Sequence, residues 1–170
     1  MSEAAFERDI LERLEPHFEI HPKVEGRHFS GKHLKIDAVV VPRDRTGWKN
    51  QNVALGIEFK DVVRLKGNTT NFTRWLAQCA DYGNTTWRDF GFLYVFACPS
   101  LVEQLPGKSG PDSAAWIVPR IMGHLGIGEL RVLDRYGLSF LLQDNQRLWS
   151  EQEGIKDGAR YLLKRKFGSR

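Results

Sequence analysis

Two short apolar runs that carry acidic residues place the strongest constraint on how this chain can fold. Residues 53–60 read Val-Ala-Leu-Gly-Ile-Glu-Phe-Lys, and residues 34–41 form a second apolar run that contains Asp37. Their length and composition predict β-strands. Side chains two positions apart on a strand point to the same face, so Glu58 and Lys60 should project together. Charged residues rarely occupy a buried strand for packing reasons alone.

Pairing of these two strands would bring two carboxylates and one ammonium into a small volume. Mg²⁺ prefers oxygen ligands, commonly one or two carboxylates completed by water and phosphate. Asp37 and Glu58 are therefore candidate metal ligands, and the backbone carbonyl of Phe59 is a third. A bound metal would polarise a phosphate and lower the pKa of a bound water, while Lys60 would orient that water or offset charge in the transition state. The residues predict a Mg²⁺ site for phosphodiester hydrolysis, in which Mn²⁺ would substitute.

Each of these residues also has a simpler interpretation. Asp37 could cap a bend or pair with Lys35 or His33. Glu58 and Lys60 could form one ion pair at the edge of a sheet. These alternatives are favoured for any one residue alone, whereas the three residues together on adjacent strands favour a functional site.

Two helices supply further candidate site residues. The first is predicted over residues 3–15, ended by Pro16, and Glu7 falls within its apolar arc, where an acid needs a partner. Alternatively, Glu7 is simply favoured near the positive end of the helix. The second helix is predicted over residues 71–82. Gln78 lies at the flank of its apolar face, where it would contact a phosphate, position a water or face solvent.

In this order the residues resemble the PD-(D/E)XK nuclease superfamily, including restriction endonucleases and archaeal Holliday-junction resolvases. The superfamily pattern is an acid on the first helix, an Asp on one strand and (D/E)-x-K on the next, here Glu7, Asp37 and Glu58-Phe59-Lys60. Gln78 matches a glutamine that many members carry on the following helix. The resemblance covers about residues 3–98. It implies an α/β, restriction-endonuclease-like αβββαβ core with a mixed central sheet flanked by helices. It also implies Mg²⁺-dependent cleavage of DNA by an endonuclease, with Glu7 and Gln78 assisting Asp37, Glu58 and Lys60.

The rest of the chain is predicted from its turn residues and its apolar runs. A weak strand over residues 18–24 breaks near Pro22, a turn covers residues 26–31, and a strand covers residues 91–98. A Pro, Gly and Ser-rich loop at 99–113 precedes a weak helix at 114–125. Strands at 129–133 and 138–142 form a hairpin, and residues 156–167 form a basic helix. We expect one nuclease domain over residues 1–170, with a C-terminal extension after residue 98.

The charge of the chain is compatible with DNA as the partner. The formal net charge is +4 over 170 residues, which favours nucleic-acid binding without requiring it. No base-reading motif is present, so weak sequence preference or recognition of DNA structure is expected. A resolvase would act as a homodimer, which is therefore a candidate assembly. The predicted phosphate contacts are Arg43, Arg45, Lys49, Arg64, Lys66, Arg74, Lys164 and Lys166.

Other function classes are not favoured by the sequence. Neither a signal peptide nor an apolar run of about 18 residues is visible. Cys79 and Cys98 form no CxxC pair, so buried reduced thiols and a cytoplasmic location are expected. The Pro-Gly-Lys-Ser at 106–109 lacks the phosphate-loop glycine, since Val102 stands in its place, so no nucleotide cofactor is expected. The alternative function is a non-catalytic or partner-dependent DNA-binding subunit of a restriction, transposition or recombination assembly.

Overall fold

The structure is a computed structural model that describes residues 2–60, 69–100, 118, 121–142 and 146–156. It shows a mixed α/β fold in which one nine-stranded sheet dominates the described residues. The predicted α/β class is confirmed, but the expected helix-flanked sheet is wrong, because nine strands dominate the described residues, accompanied by two named helices and short helical stretches at 118 and 121–124. The elements are α1 (Glu3–Leu14), β1 (Phe18–His28), β2 (His33–Pro42), β3 (Leu55–Phe59), α2 (Thr69–Gly83), β4 (Thr85–Trp87), β5 (Tyr94–Cys98), β6 (Ile127–Leu133), β7 (Gly137–Leu142), β8 (Gln146–Ser150) and β9 (Gly154–Ile155).

The spatial order of the strands is β4-β1-β2-β3-β5-β6-β7-β8-β9. The pairs β3–β5 and β5–β6 are parallel, and the other pairs are antiparallel. A parallel pair needs a crossover, and α2 lies in the chain between β3 and β5. The predicted hairpin of β6 and β7 is confirmed. It is not an appendage to a smaller core, however, because β6 pairs with β5 and continues the same sheet.

Helix α1 is built as its sequence predicts. The Ser2 side chain accepts a hydrogen bond from the Ala5 N–H, at 3.3 Å, and the helix ends at Leu14. Its buried face presents Ile10 and Leu14 to a core that includes Phe59. Helix α1 therefore packs against the sheet close to the strand that carries Glu58.

Strand β1 differs from its prediction, since it runs unbroken from Phe18 to His28. Pro22 pairs with Ala38 on β2, while β4 pairs with β1 only from Gly26 onward. Pro22 therefore lies where β1 has no second neighbour among the described strands, and a missing N–H is tolerated there. Gly26 is not a turn residue: a Cβ atom at this position would lie 2.5 Å from the Trp87 ring. The turn follows His28 instead, at residues 29–32.

Apolar side chains of the sheet pack in clusters with residues of α1 and α2, and these clusters fix the positions of both helices. Ala38, Val40, Leu55, Ile57 and Phe59 belong to the cluster that contains the buried residues of α1. Ile36, Val39 and Val41 belong to a second cluster, with Tyr82 of α2. Cys79 and Cys98 are buried and free, as expected.

Several predictions fall wholly or partly outside the described residues. The loop at 101–113, half of the helix at 114–125 and the basic helix after residue 156 lie there, although residues 118 and 121–124 are helical. Strands β4, β8 and β9 were not predicted. No helix in the described part of the chain is long and apolar enough to cross a membrane.

Candidate active site

The candidate site lies where β2 and β3 stop pairing. Their ladder runs through Val40 with Leu55, Val39 with Gly56 and Ala38 with Ile57. Asp37 and Glu58 are the next residues on each strand. Beyond the last ladder pair, the Asp37 side chain reaches across to β3, where its Oδ2 accepts a hydrogen bond from the Phe59 N–H, at 2.8 Å. The two predicted carboxylates therefore lie on neighbouring strands, at the end of the ladder that joins β2 and β3.

Glu58 is a buried carboxyl group, and its side chain is only 5% exposed. Its Oε1 accepts a hydrogen bond from Gln78 Nε2 at 2.9 Å and lies 3.6 Å from Lys60 Nζ. Its Oε2 is buried without a hydrogen-bond partner among the residues the structure describes. Burial first, and then the negative charge of Asp37, raise the pKa of Glu58 to about 8, against the opposing effect of Lys60. Glu58 is therefore mostly protonated at neutral pH in the metal-free protein.

Lys60 follows directly after β3, and its backbone is held by β5. The Lys60 N–H donates to the Cys98 carbonyl at 3.0 Å. Its side chain is 32% exposed, so the ammonium lies between buried Glu58 and solvent. The predicted common direction of Glu58 and Lys60 is seen in their contact.

Gln78 belongs to a hydrogen-bonded chain that ties α2 to β2. Its Nε2 also lies 2.8 Å from the Tyr82 hydroxyl oxygen, and that hydroxyl donates to the Lys35 carbonyl at 2.8 Å. Gln78 therefore contacts the carboxyl group of Glu58 and does not simply face solvent. Sequence analysis missed Tyr82, although its spacing of four residues from Gln78 on one helix face was a usable signal.

Lys23 is the second residue that sequence analysis missed. Its Nζ lies 2.6 Å from Asp37 Oδ1 and 3.5 Å from Glu7 Oε1. Its backbone has a φ of 51°, a left-handed conformation that is uncommon and strained for a lysine. Glu7 is thus joined to the site through Lys23. The register of β1 and β2 pairs Pro22 with Ala38 and Val24 with Ile36, which places Lys23 opposite Asp37. No local signal in the sequence indicates this register.

The predicted phosphate contacts are distributed differently from the expectation. Arg43, Arg45 and Lys49 follow the Pro42 end of β2, and about 20 Å of extended strand separates Arg43 from Asp37. Arg43 donates to the Glu15 carbonyl at 2.8 Å, and Arg45 donates to the Gln51 carbonyl at 2.7 Å. Their loop does not flank the site. Arg74 is exposed on α2, one turn before Gln78. Arg64, Lys66, Lys164 and Lys166 lie outside the described residues.

The residues present fit a hard divalent cation. Asp37 and Glu58 offer oxygen donors, and the buried Oε2 of Glu58 has no other partner in the described chain. No group of three or more His, Cys, Asp or Glu residues able to hold a metal occurs among the described residues. Two carboxylates would therefore be the side-chain ligands of the metal, and Mg²⁺ commonly binds through one or two carboxylates. Lys23 Nζ contacts Asp37 Oδ1. A metal ion would therefore have to displace the Lys23 ammonium from this oxygen.

Comparisons of the chain with family models, curated proteins and solved structures give no match. The resemblance to PD-(D/E)XK nucleases therefore stays a prediction, drawn from Glu7, Asp37, Glu58, Lys60 and Gln78.

Proposed function

We propose that this chain is a Mg²⁺-dependent DNA endonuclease of PD-(D/E)XK type. The observation that carries the proposal is Glu58, a carboxyl group at 5% exposure beside Lys60. An ionised carboxylate in such a place costs several kcal/mol after relaxation, and strongly perturbed carboxyl groups cluster at functional sites. The chain order α1-β1-β2-β3-α2, followed after short β4 by β5, supports the expected αβββαβ core.

Each residue has a distinct proposed role. Asp37, Glu58 and the Phe59 carbonyl would hold Mg²⁺, which when bound polarises the phosphate and lowers the pKa of a water. The Lys60 ammonium would donate a hydrogen bond to the attacking water or to the developing charge on the phosphate. Gln78 holds the orientation of Glu58 by donating to its Oε1. A homodimer of such sites would cut both strands of a duplex or junction.

Two contacts of Asp37 favour a second candidate, a DNA-binding subunit that is non-catalytic or active only with a partner. Both oxygens of Asp37 already accept hydrogen bonds, one from Lys23 and one from the Phe59 N–H. Asp37 is therefore fully satisfied without a metal. A partner or a DNA phosphate that draws the Lys23 ammonium away would release Oδ1 and switch the site on.

The test is a cleavage assay on supercoiled, linear, single-stranded and four-way-junction DNA with Mg²⁺, Mn²⁺ or EDTA. We expect cutting with either metal and none in EDTA. Asp37→Ala should abolish cutting, whereas the matched control Asp44→Ala, at an exposed acid in the loop after β2, should cut normally. A folded wild-type protein that cuts no substrate with either metal would contradict the stand-alone nuclease and leave the second candidate.

A further inference from the structure

We propose that the β1–β2 hairpin is a binding surface for an unpaired nucleic-acid strand, which it stacks at its turn and guides along its exposed face to Asp37. This surface deepens the proposed function and rests on it, because it names the substrate class as DNA with unpaired bases. Its evidence comes from residues outside the Asp37–Glu58 cluster.

The hairpin turn presents an aromatic ring to solvent. Phe29 is 77% exposed, the most exposed of three large apolar side chains that reach solvent in the described chain, and the only aromatic among them. A single exposed apolar side chain is ordinary on its own, and Phe29 gains significance from the ordered turn that holds it and the exposed cations near it. Aromatic side chains in such positions are the platforms on which nucleic-acid bases stack.

The turn holds Phe29 in place. The Phe29 ring packs on the ring of buried His28, with the centroids 4.3 Å apart. His28 Nδ1 lies 2.8 Å from Ser30 Oγ, and the His28 N–H donates to the Lys32 carbonyl at 2.9 Å. Lys32 Nζ in turn contacts Asp81 Oδ2 of α2 at 3.2 Å. A ring fixed before binding loses little conformational entropy when a base stacks on it.

The exposed face of the hairpin leads from Phe29 toward the site. Arg27 lies opposite His33, and Glu25 lies opposite Lys35. Cross-strand partners share a face. Alternate residues are about 6.6 Å apart, so His33 is about 13 Å along β2 from Asp37. A strand of a few nucleotides would span this distance.

The charges on this face suit a phosphate backbone. Arg27, His33 and Lys35 are exposed, and none forms an ion pair within the described chain. The one acid between them, Glu25, is neutralised by Arg88, with 3.1 Å between Arg88 Nη2 and Glu25 Oε2. Two exposed cations on the strands that lead from an aromatic ring, without ion-pair partners in the described chain, match the general arrangement of proteins that bind single strands.

The bound strand must be unpaired at the ring. A base in a duplex is already stacked on both faces, and freeing one costs a few kcal/mol. An unpaired base at a single-stranded end, flap or junction avoids that cost. Stacking also tolerates any base, which agrees with the absence of a base-reading motif in the sequence.

The test measures binding by fluorescence anisotropy in EDTA, so that no metal-dependent cutting occurs. The probes are a labelled oligothymidylate and a blunt duplex of equal length. We expect wild type to prefer the single strand. Phe29→Ala should weaken single-strand binding about tenfold and leave duplex binding almost unchanged, and Phe29→Trp should retain it. Val132→Ala, at another exposed apolar residue, is the matched control.

Salt dependence provides a second readout. Replacing both Arg27 and Lys35 by Gln should reduce the slope of log affinity against log salt by about 1.4, at about 0.7 per phosphate contact on single strands. The double variant Arg8→Gln and Arg135→Gln, which removes two exposed cations elsewhere, should leave the slope unchanged.

Failure of this inference is distinguishable from failure of the nuclease. Equal wild-type affinity for the two probes, no binding of either, or Phe29→Ala behaving like Val132→Ala would overturn the hairpin surface. A protein that prefers single strands through Phe29 but never cuts would support the surface and remove the endonuclease. If the wild-type protein cuts DNA but Phe29→Ala binds the single strand as tightly as wild type, the endonuclease is supported and the hairpin surface is overturned.

Discussion

Replacing Glu58 by Gln should make the metal-free protein more stable at alkaline pH. Glu58 has a folded-state pKa of about 8, against an ordinary value of 4.5, chiefly because it is buried. Gln is nearly the same shape, still accepts a hydrogen bond from Gln78 through its amide oxygen, and never carries a charge. The substitution would therefore remove the cost of ionising a buried group.

The magnitude follows from the two pKa values. A difference of about 3.5 corresponds to about 5 kcal/mol, at about 1.36 kcal/mol for each pKa unit. Relaxation and water entry reduce the penalty of a buried charge, so we expect about 2–4 kcal/mol. Between pH 4.5 and 8 the folded state binds more protons than the unfolded state, so stability falls as pH rises through this window. The contribution of Glu58 is fully present below about pH 4.5 and is lost above about pH 8.

The assay is urea unfolding in EDTA at about pH 5.5, 7 and 8.5, followed by circular dichroism. The free energy of unfolding of wild type should drop relative to Glu58→Gln at each step upward. Glu12→Gln, a matched change at an exposed acid on α1, should follow wild type. Parallel pH profiles for wild type and Glu58→Gln would show that Glu58 is not a buried, proton-holding carboxyl group, and the reasoning would be refuted.

Two further predictions concern β1. Lys23→Met should tighten Mn²⁺ binding measured by calorimetry, because it frees Asp37 Oδ1 from an ammonium 2.6 Å away. The control Lys49→Met should leave Mn²⁺ binding unchanged. Weaker Mn²⁺ binding by Lys23→Met would show instead that the lysine supports the metal site. Gly26→Ala should destabilise the protein by about 1–3 kcal/mol in urea unfolding, since its Cβ would overlap the Trp87 ring and overpacking is destabilising. Unchanged stability would contradict the packing of β4 on β1.

The residues of the site that could be predicted are those with local signals. Glu58 and Lys60 stand out because a single strand carries them among apolar neighbours, and all five residues of β3 are buried. Gln78 and Glu7 follow from helix periodicity. Each of these signals lies within one element, so no knowledge of strand pairing was needed.

What sequence analysis missed depends on contacts between distant segments. Lys23 reaches Asp37 only because β1 continues through Pro22, and that depends on where β4 begins to pair. The size of the sheet depends on β5 pairing with β6, in which Val95 pairs with Ile127, 32 positions along the chain. Strand register and neighbour order are tertiary properties that residue patterns alone do not encode.

The measurement that tests the central claim most directly compares initial rates of Mg²⁺-dependent DNA cutting by wild type, Asp37→Ala and Lys60→Ala. Arg8→Ala, at an exposed cation of α1, serves as the control, and unfolding curves establish that each variant is folded. The account predicts that both site variants lose at least about a hundredfold in rate, that Arg8→Ala is unaffected, and that Lys60→Ala still binds Mn²⁺. Cutting at the wild-type rate by either site variant would contradict it.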